Sequence, residues 1–172
     1  MKQNIFFMEI KIRPAVFTDL DTILEIINHQ ILNSTSIYDY EPRDFETHKL
    51  WFEDKLAHDL PVIVAETENG TIGYATYGTF RHKIGYRFTV EHSVYVAEEF
   101  LGKGVGKLLL AELIQLATKQ KYHTMIGVID SENKGSIAFH QKFGFETVGV
   151  IKESGYKFDR WLSSVFMQLI LE

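Results

Sequence analysis

A glycine-rich loop at residues 102–107 could bind an anion, because a glycine stands there at every second position and two lysines accompany the glycines. An alternating apolar segment precedes the loop, and an amphipathic segment follows it. Glycines let the backbone approach a ligand closely. The amides of a first helical turn have no intrahelical acceptor and carry the positive end of the helix dipole. The loop therefore predicts a site that suits a phosphate or a pyrophosphate.

Three phosphate-binding patterns can be compared with this loop. A nucleoside-triphosphate loop needs Ser or Thr after its lysine, whereas Leu108 follows Lys107. A dinucleotide fold needs the pattern Gly-x-Gly-x-x-Gly, and Lys107 and Leu109 stand where its last glycine would fall. In the pyrophosphate loop of acyl-CoA-dependent N-acetyltransferases, Gln/Arg-x-x-Gly-x-Gly/Ala opens a helix. Gly104 and Gly106 fit that pattern, although Leu101 stands where Gln or Arg is usual. A strand-to-helix turn without a ligand is the remaining alternative.

A carboxylate also interrupts an apolar alternating segment, at Glu91. Alternation places Glu91 on the face opposite Val90 and Val94. Burial of a carboxylate is costly unless the group is paired, and partial burial raises its pKa toward the range of a useful base. We therefore predict a general base at Glu91, and a structural ion pair with Arg81 or Arg87 is the alternative. His92 shares the face of Val90, which predicts a core or interface histidine with satisfied hydrogen bonds.

Composition sets limits on the protein class. A chain of 172 residues has the size of one domain, and its 45% hydrophobic and 24% charged content is typical of globular proteins. A net charge of −5 argues against a nucleic-acid partner. Cysteine is absent, which excludes disulfides, thiolate metal sites and a cysteine nucleophile. Residues 1–8 are too short for a signal-peptide core, and we expect a cytoplasmic protein with no metal and no membrane segment.

The elements that must position these residues follow from hydrophobic periodicity and turn signals. The order is β-α-α-β-β-β-α-β-α-β-β, which predicts an α+β fold with a mixed, mostly antiparallel central sheet flanked by helices. We expect one domain over residues 9–172 and a short N-terminal extension over residues 1–8. The predicted strands are 9–13, 62–66, 71–80, 88–96, 124–129, 145–151 and 162–171. Two predicted helices have caps, at Thr18 and Asn133, and the other two begin near Asp44 and at Gly104.

This element order, with the glycine loop between the fourth strand and the third helix, resembles the GNAT superfamily of N-acetyltransferases. Residues 12–15 with Asp19, and residues 133–136 with His140 and a closing Gly144, resemble further motifs of that superfamily. Segments 36–43, 89–96 and 155–161 are similar to its phosphinothricin and methionine sulfoximine acetyltransferase branch. The resemblance covers residues 9–171 and implies acetyl-CoA as the acyl donor and a homodimer.

The resemblance implies a set of residues that hold acetyl-CoA. The backbone of the fourth strand pairs with the pantetheine arm, the loop amides take the pyrophosphate, and two residues of the last helix contact the pantetheine or a phosphate. Asn133 could instead be a plain helix cap, and the lysines could be solvated surface charges. The implied residues are Val94, Tyr95, Val96, Leu101, Gly102, Lys103, Gly104, Val105, Gly106, Lys107, Asn133 and Ser136.

The resemblance also implies two catalytic residues and an acceptor site. Glu91 occupies the position of the branch's proposed catalytic carboxylate, which acts through water. His140 stands where many superfamily members carry a tyrosine thought to protonate the CoA sulfur, and a surface histidine without a kinetic role is the alternative. For the acceptor, Arg81 suits an anionic group because a guanidinium binds paired oxygens. Aromatic candidates around it are Tyr38, Tyr40, Tyr86 and Tyr156.

These residues predict an acetyl-CoA-dependent N-acetyltransferase that acetylates the α-amine of a small amino-acid analogue, of the phosphinothricin or methionine sulfoximine type. Direct transfer in a ternary complex is expected, since the chain has no cysteine to carry an acyl group. An acetyltransferase for another small amine, such as a polyamine or an aminoglycoside, is the alternative among enzymes. A non-catalytic acyl-CoA-binding module is the alternative from another class.

Overall fold

A computed structural model describes residues 9–172. The predicted extension over residues 1–8, and the argument about a signal peptide there, lie outside the described residues. The strands are β1 Lys11–Pro14, β2 Val62–Thr67, β3 Gly70–Thr79, β4 Thr89–Val96, β5 Thr124–Asp130, β6 Glu146–Lys157 and β7 Arg160–Ile170. The helices are α1 Leu20–Asn33, α2 Phe45–Ala57, α3 Val105–Lys119 and α4 Lys134–Gln141, with 3-10 turns at Phe17–Asp19, Ile84–Tyr86 and Glu98–Phe100.

The strands form one seven-stranded sheet in the order β1-β2-β3-β4-β5-β7-β6. The β4–β5 pair is parallel, and the other neighbouring pairs of the described sheet are antiparallel. The parallel pairing covers Thr89 to Glu91 on β4 and Thr124 to Ile126 on β5. Both strands continue without pairing to each other, so the sheet opens between them. The predicted mixed, mostly antiparallel α+β fold is confirmed.

Each face of the sheet carries its own apolar core. On one face, α3 packs its buried leucines, Leu109 and Leu113 among them, against strands in the middle of the sheet. On the other face, α1 and α2 bury Ile23 and Phe52 against Val64 and Tyr74. The period of about 3.6 residues in α1 and α3 produces these one-sided apolar stripes. Because helices cover both faces, the opening between β4 and β5 lies between two firmly packed layers.

The start of the first helix differs from the prediction. Thr18 lies within the 3-10 turn, and α1 begins at Leu20. The buried carboxylate of Asp19 instead accepts hydrogen bonds from the backbone amide of Val16 at 2.8 Å and from the Arg13 guanidinium at 2.7 and 2.9 Å. The Asp19 carboxylate, held by Arg13, therefore organises this turn. The cap at Thr18 was predicted from local sequence, which does not show the contact between Asp19 and Arg13.

The last two strands are longer than predicted and form one hairpin. The turn residues Phe158 and Asp159 have φ angles of 51° and 55°, a left-handed conformation that glycine and asparagine adopt more readily than phenylalanine. Phe158-Asp159 is not one of the Asn-Gly or Asp-Gly pairs that indicate a two-residue hairpin turn, so this turn was not predicted from the sequence. Most of β6 is exposed along the sheet edge.

Candidate active site

A cleft of about 1210 Å³ opens where β4 and β5 diverge. Its walls come from the second half of β4, the glycine-rich loop, the end of β5, α4 and the segment that follows α1. Among the residues at its walls are Thr35, Ser36, Tyr38, Glu91, His92, Ser93, Leu101, Gly102, Gly127, Asn133, Ser136, His140 and Lys142. The predicted catalytic pair and most of the predicted acetyl-CoA residues therefore share one cleft.

Alternation along β4 divides its side chains as predicted. Val90 and Val96 are buried in the core beneath α3, with Val94 packed against that core. Tyr95 packs on the opposite face, against the core of α1 and α2. Glu91 has the parity of Tyr95 and faces the α1 and α2 side of the cleft.

Glu91 is open to the cleft and has neither a hydrogen bond nor an ion pair among the side chains of residues 9–172. Its cross-strand neighbour on β3 is Gly78. The surrounding protein raises the pKa of Glu91 because it removes part of the water that would solvate the carboxylate. Glu91 keeps some contact with solvent although its pKa is raised, because the walls of a concave cleft remove only part of the surrounding water. The predicted alternative, an ion pair with Arg81 or Arg87, is not formed.

His140 is 6% exposed and projects from α4 to the cleft wall. Its Nδ1 lies 2.7 Å from the backbone oxygen of Ser136. A carbonyl can only accept, so Nδ1 carries the proton and Nε2 of the neutral ring has a free lone pair. Burial lowers the pKa of His140 despite this hydrogen bond. The ring is therefore neutral near pH 7 and can accept a proton at Nε2.

His92 differs from the prediction of a satisfied histidine. It is buried as predicted, at 7% exposure, but neither ring nitrogen has a hydrogen-bond partner within residues 9–172. Burial, reinforced by the neighbouring His140, lowers the pKa of His92 to about 3. Its ring centroid lies 5.0 Å from that of His140. His92 is thus a neutral imidazole at the cleft wall. The sequence indicated only that its side chain lies on the same face of β4 as Val90.

Gly127 makes room for the two histidines. A Cβ on this residue would lie 3.0 Å from Nε2 of His92 and 3.4 Å from Cδ2 of His140. Glycine inside a strand often marks such a close approach. Gly127 is the first residue of β5 beyond its pairing with β4, and it remains paired with Met167 of β7. No role was predicted for it from the sequence.

The glycine-rich loop has the backbone expected of an anion site. Gly102 and Gly104 have φ angles of 74° and 86°, which side chains disfavour. The amide of Leu101 donates to Glu98 and that of Lys103 donates to Phe100. The amides of the first turn of α3, from Val105 onward, have no intrahelical acceptor. These last amides are therefore better placed for a phosphate than the first part of the loop.

The two lysines of the loop lie in different places. Lys107 lines the cleft. The ammonium of Lys103 lies 5.0 Å from the ring centroid of Phe100, and Lys103 is not among the cleft residues. Lys142, after α4, also lines the cleft and was not predicted. Lys107 and Lys142 are thus the lysines that the structure brings to this cleft.

Asn133 is the cap of α4, since its Oδ1 accepts a hydrogen bond from the Ser136 amide at 2.9 Å. This capping role is the alternative that the sequence left open. Both residues also line the cleft, so the cap does not remove Asn133 from the ligand-facing surface.

The predicted acceptor residues are not brought together. Tyr38 lines the cleft, whereas Tyr40, Arg81, Tyr86 and Tyr156 are not among its wall residues. The Tyr40 hydroxyl donates to the backbone oxygen of Tyr156. The Arg81 guanidinium lies over the rings of Phe80 and Tyr86, at 5.3 and 5.9 Å from their centroids. Within one chain, Tyr38 is therefore the predicted acceptor residue that reaches the cleft.

Arg43 is a cation for which no role was predicted from the sequence. Its backbone exchanges two hydrogen bonds with the Asn28 side chain, at 2.8 and 2.9 Å, and its guanidinium donates to Asp39 at 3.2 Å. Burial raises the pKa of Tyr95, and the charge of Arg43 counteracts this shift. A positive charge therefore lies near Tyr95, on the same side of the sheet as Glu91.

Two further features of residues 9–172 concern metal binding and membrane-spanning helices. No three His, Cys, Asp or Glu side chains there come close enough together to bind a metal ion. No helix in this part of the chain has the length and apolar character needed to cross a membrane.

Comparison with known proteins identifies the family of this chain. Residues 27–145 match the model of the Acetyltransferase (GNAT) family. An L-methionine sulfoximine/L-methionine sulfone acetyltransferase of Pseudomonas aeruginosa is 42% identical over 166 residues, which span 96% of each chain. An L-amino acid N-acyltransferase of Escherichia coli is 41% identical over 162 residues, or 94% of each chain.

The fold is also similar to solved structures. A GNAT superfamily phosphinothricin acetyltransferase from Sinorhizobium meliloti, solved in complex with acetyl-CoA, has a TM-score of 0.92 and 40% identity. The match covers 95% of this chain and 89% of that chain.

Proposed function

The chain belongs to the GNAT family of acetyltransferases, and we propose that its acceptor is the α-amine of a small amino-acid analogue of the methionine sulfoximine, methionine sulfone or phosphinothricin type. The protein is therefore an N-acetyltransferase that uses acetyl-CoA. The observation that carries the acceptor class is the 42% identity, across 96% of both chains, to the Pseudomonas aeruginosa enzyme that bears the first two of these names.

The cleft residues fit acetyl-CoA. Acetyl-CoA supplies an acetyl group activated as a thioester. In the proposal, the first-turn amides of α3 and the ammonium of Lys107 hold the pyrophosphate, because both present positive charge to the cleft. The unpaired edge of β4 beyond Glu91 offers backbone groups to the pantetheine arm. Asn133 and Ser136 hold the part of the ligand that runs along the start of α4.

Glu91 is the proposed general base. An ammonium group cannot attack a thioester until it loses a proton, and the unpaired carboxylate of Glu91 can receive that proton directly or through one water. The raised pKa of Glu91 brings it closer to that of a base that works near neutral pH. His140 can give a proton to the leaving sulfur only after Nε2 has received one, since its neutral ring carries the proton on Nδ1. Transfer is direct, because no cysteine is present to carry an acyl group.

We propose that two chains associate through the exposed edge of the sheet. The edge strand β6 spans 12 residues and exposes Val148, Val150 and Ile151 at 56, 53 and 52%. An edge strand with apolar side chains is a template for pairing, and a second copy would cover it. Val150→Lys should convert a dimer to a monomer in light scattering, and an unchanged mass would contradict this interface.

The proposal places the enzyme in the cytoplasm and without a nucleic-acid partner. A net charge of −5 supports the second point, because nucleic-acid binding calls for a basic surface.

Mass spectrometry of the reaction product tests the proposed acceptor chemistry. The protein is incubated with acetyl-CoA and methionine sulfone, and fragmentation of the product locates the added acetyl group. Acetylation at the α-nitrogen is the expected result. A product acetylated elsewhere, or the absence of a product from every amino-acid analogue, would contradict the proposal.

A further inference from the structure

The segment that follows α1 forms one wall of the cleft through Thr35, Ser36 and Tyr38. This segment has no regular secondary structure, so its position depends on contacts with other elements. One contact is a hydrogen bond from the Thr35 hydroxyl to Asp130 of β5. Other contacts come from the β6–β7 hairpin, which has no residue at the cleft wall itself.

Lys157, the last residue of β6, holds the segment from beneath. Its side chain is 2% exposed, and Nζ donates to the backbone oxygens of Ile31, Ser34 and Ile37 at 2.6, 2.9 and 2.6 Å. An ammonium has three N–H groups, and all three are used. Ile31 belongs to the last turn of α1, where the helix dipole also favours a cation. One buried ammonium thus joins the end of α1 to the residue that precedes Tyr38.

Gly155 provides the surface on which Tyr38 lies. A Cβ built on Gly155 would come within 2.6 Å of Cδ2 and 3.1 Å of Cζ of the Tyr38 ring. The φ of Gly155 lies outside the left-handed region, so its backbone does not require glycine. The requirement is steric and comes from the Tyr38 ring. The Tyr38 hydroxyl also lies 3.4 Å from Oγ of Ser164 on β7.

We propose that Lys157 and Gly155 are positioning residues for the acceptor, because together they fix the height and orientation of the Tyr38 ring at the cleft wall. Neither residue touches the cleft, so each acts through Tyr38. The identity of the acceptor in this inference rests on the proposed function. The proposed acetyl-CoA side of the cleft is built from α3, α4 and β4. None of the hydrogen bonds described above joins these elements to Lys157 or Gly155.

The Gly155→Ala variant tests the inference, with Gly149→Ala on the same strand as a matched control. A Cβ on Gly149 would meet nothing within 4 Å in its own chain. Because Gly149 lies on the proposed edge interface, light scattering must show the same mass for this control as for the wild type. We expect Gly155→Ala to raise the KM of the acceptor by at least ~10-fold, because small misplacements of positioning groups are costly. The KM of acetyl-CoA should stay within about twofold, as should both constants in the control. Equal increases in the two KM values, or no increase, would overturn the inference.

A double variant separates the Tyr38 contact from general damage to the hairpin. If Gly155 acts through Tyr38, the Gly155→Ala change should have little further effect on acceptor KM once Tyr38→Ala is present. Additive effects of the two changes would show that Gly155 acts by another route and would overturn the inference.

Lys157→Met tests the role of the ammonium, and Lys119→Met, at an exposed lysine at the end of α3, is the control. Hydrogen exchange of residues 34–38 should become faster in Lys157→Met, together with a raised acceptor KM, and neither should change in the control. Wild-type exchange and KM in Lys157→Met would overturn the role of Lys157. The kinetic comparisons use whichever amine the wild-type enzyme acetylates best, so a wrong acceptor class would be recognised separately.

Discussion

Glu91 on β4 lies directly opposite Gly78 on β3. The space that a side chain at this cross-strand position would normally fill is taken by the Lys55 ammonium, because a Cβ on Gly78 would lie 3.0 Å from Lys55 Nζ. Lys55 donates to the backbone oxygen of Tyr77 at 2.8 Å, and burial lowers its pKa to about 8. Glycine at position 78 therefore makes room for Lys55, which forms no ion pair with Glu91 within the described residues.

Glu91→Gln should keep the fold and acetyl-CoA affinity but lower kcat by roughly 10²- to 10⁴-fold, the range typical of a lost general base. The wild-type rate should fall as the pH drops through the raised pKa of Glu91, since only the carboxylate accepts a proton. That acidic limb should disappear in the variant. Both effects are measured from the rate of thiol release at a series of pH values.

Glu99→Gln is a suitable control for this change, because Glu99 is an exposed carboxylate beside the glycine-rich loop. Its kinetics should match the wild type. A wild-type rate and pH profile in Glu91→Gln would leave Glu91 without a catalytic role and direct attention to His140.

Gly106→Val should weaken acetyl-CoA binding by at least ~10-fold, which corresponds to ~1.4 kcal/mol. A Cβ on Gly106 would lie 3.7 Å from the Phe139 ring and 3.8 Å from Val96, so alanine fits while further methyl groups enter the cleft. Gly106→Ala is therefore the matched control and should bind nearly as well as the wild type. Calorimetry measures both affinities, and equal affinity of the valine variant would remove the start of α3 from the site.

The hypothesis that Arg81 binds the acceptor, although Arg81 is not among the cleft residues, predicts that Arg81→Ala raises the KM of an anionic amino-acid analogue by about three- to tenfold, the modest effect expected of an exposed cation. The KM of acetyl-CoA should not change. Arg87→Ala is the matched control, since Arg87 is exposed in the same loop and also lies over a ring, that of Phe88. If Arg81→Ala leaves the acceptor KM unchanged, the Arg81 hypothesis is wrong, and Arg43 becomes the cation to test.

His48 should make the protein less stable in acid. Burial lowers its pKa from 6.5 to about 4, with a smaller contribution from Arg43. Between these two values the unfolded state binds the proton and the folded state does not. The free energy of unfolding therefore falls by up to ~1.4 kcal/mol for each pH unit below 6.5 because of this group. Above pH 6.5 its contribution to stability is fully present.

His48→Phe, which keeps a ring to stack on Trp51, should make that pH dependence shallower between pH 6.5 and 4. His82→Gln, at an exposed histidine, is the control and should keep the wild-type slope. Urea unfolding at several pH values measures the slopes. An unchanged slope in His48→Phe would show that His48 is not the group responsible.

Local patterns were sufficient for most of the framework. The alternation of β4, the glycine loop with the helix after it, and the cap at Asn133 all depend on neighbours in sequence. The resemblance to the GNAT superfamily, rather than local pattern, implied that Glu91 and His140 belong to one site, and both residues line the cleft.

Contacts between distant segments could not be predicted in this way. From the sequence alone, Lys157 has the pattern of an ordinary polar residue near a turn. In the structure it is buried, and its ammonium donates to backbone oxygens of residues more than 100 positions away. The same holds for Gly127, whose importance depends on two imidazoles from β4 and α4. Loop residues such as Arg81 were grouped by residue type, and only the folded chain shows which of them reach the cleft.

The most direct test of the central claim is a comparison of kcat/KM across acceptor classes at saturating acetyl-CoA, measured as thiol release. The panel contains methionine sulfoximine, methionine sulfone and phosphinothricin beside spermidine and an aminoglycoside, with Glu91→Gln as the background control. The account predicts that at least one amino-acid analogue exceeds both cationic amines by ~100-fold or more, a difference that corresponds to ~2.7 kcal/mol. A higher kcat/KM for spermidine or the aminoglycoside than for every amino-acid analogue would contradict it.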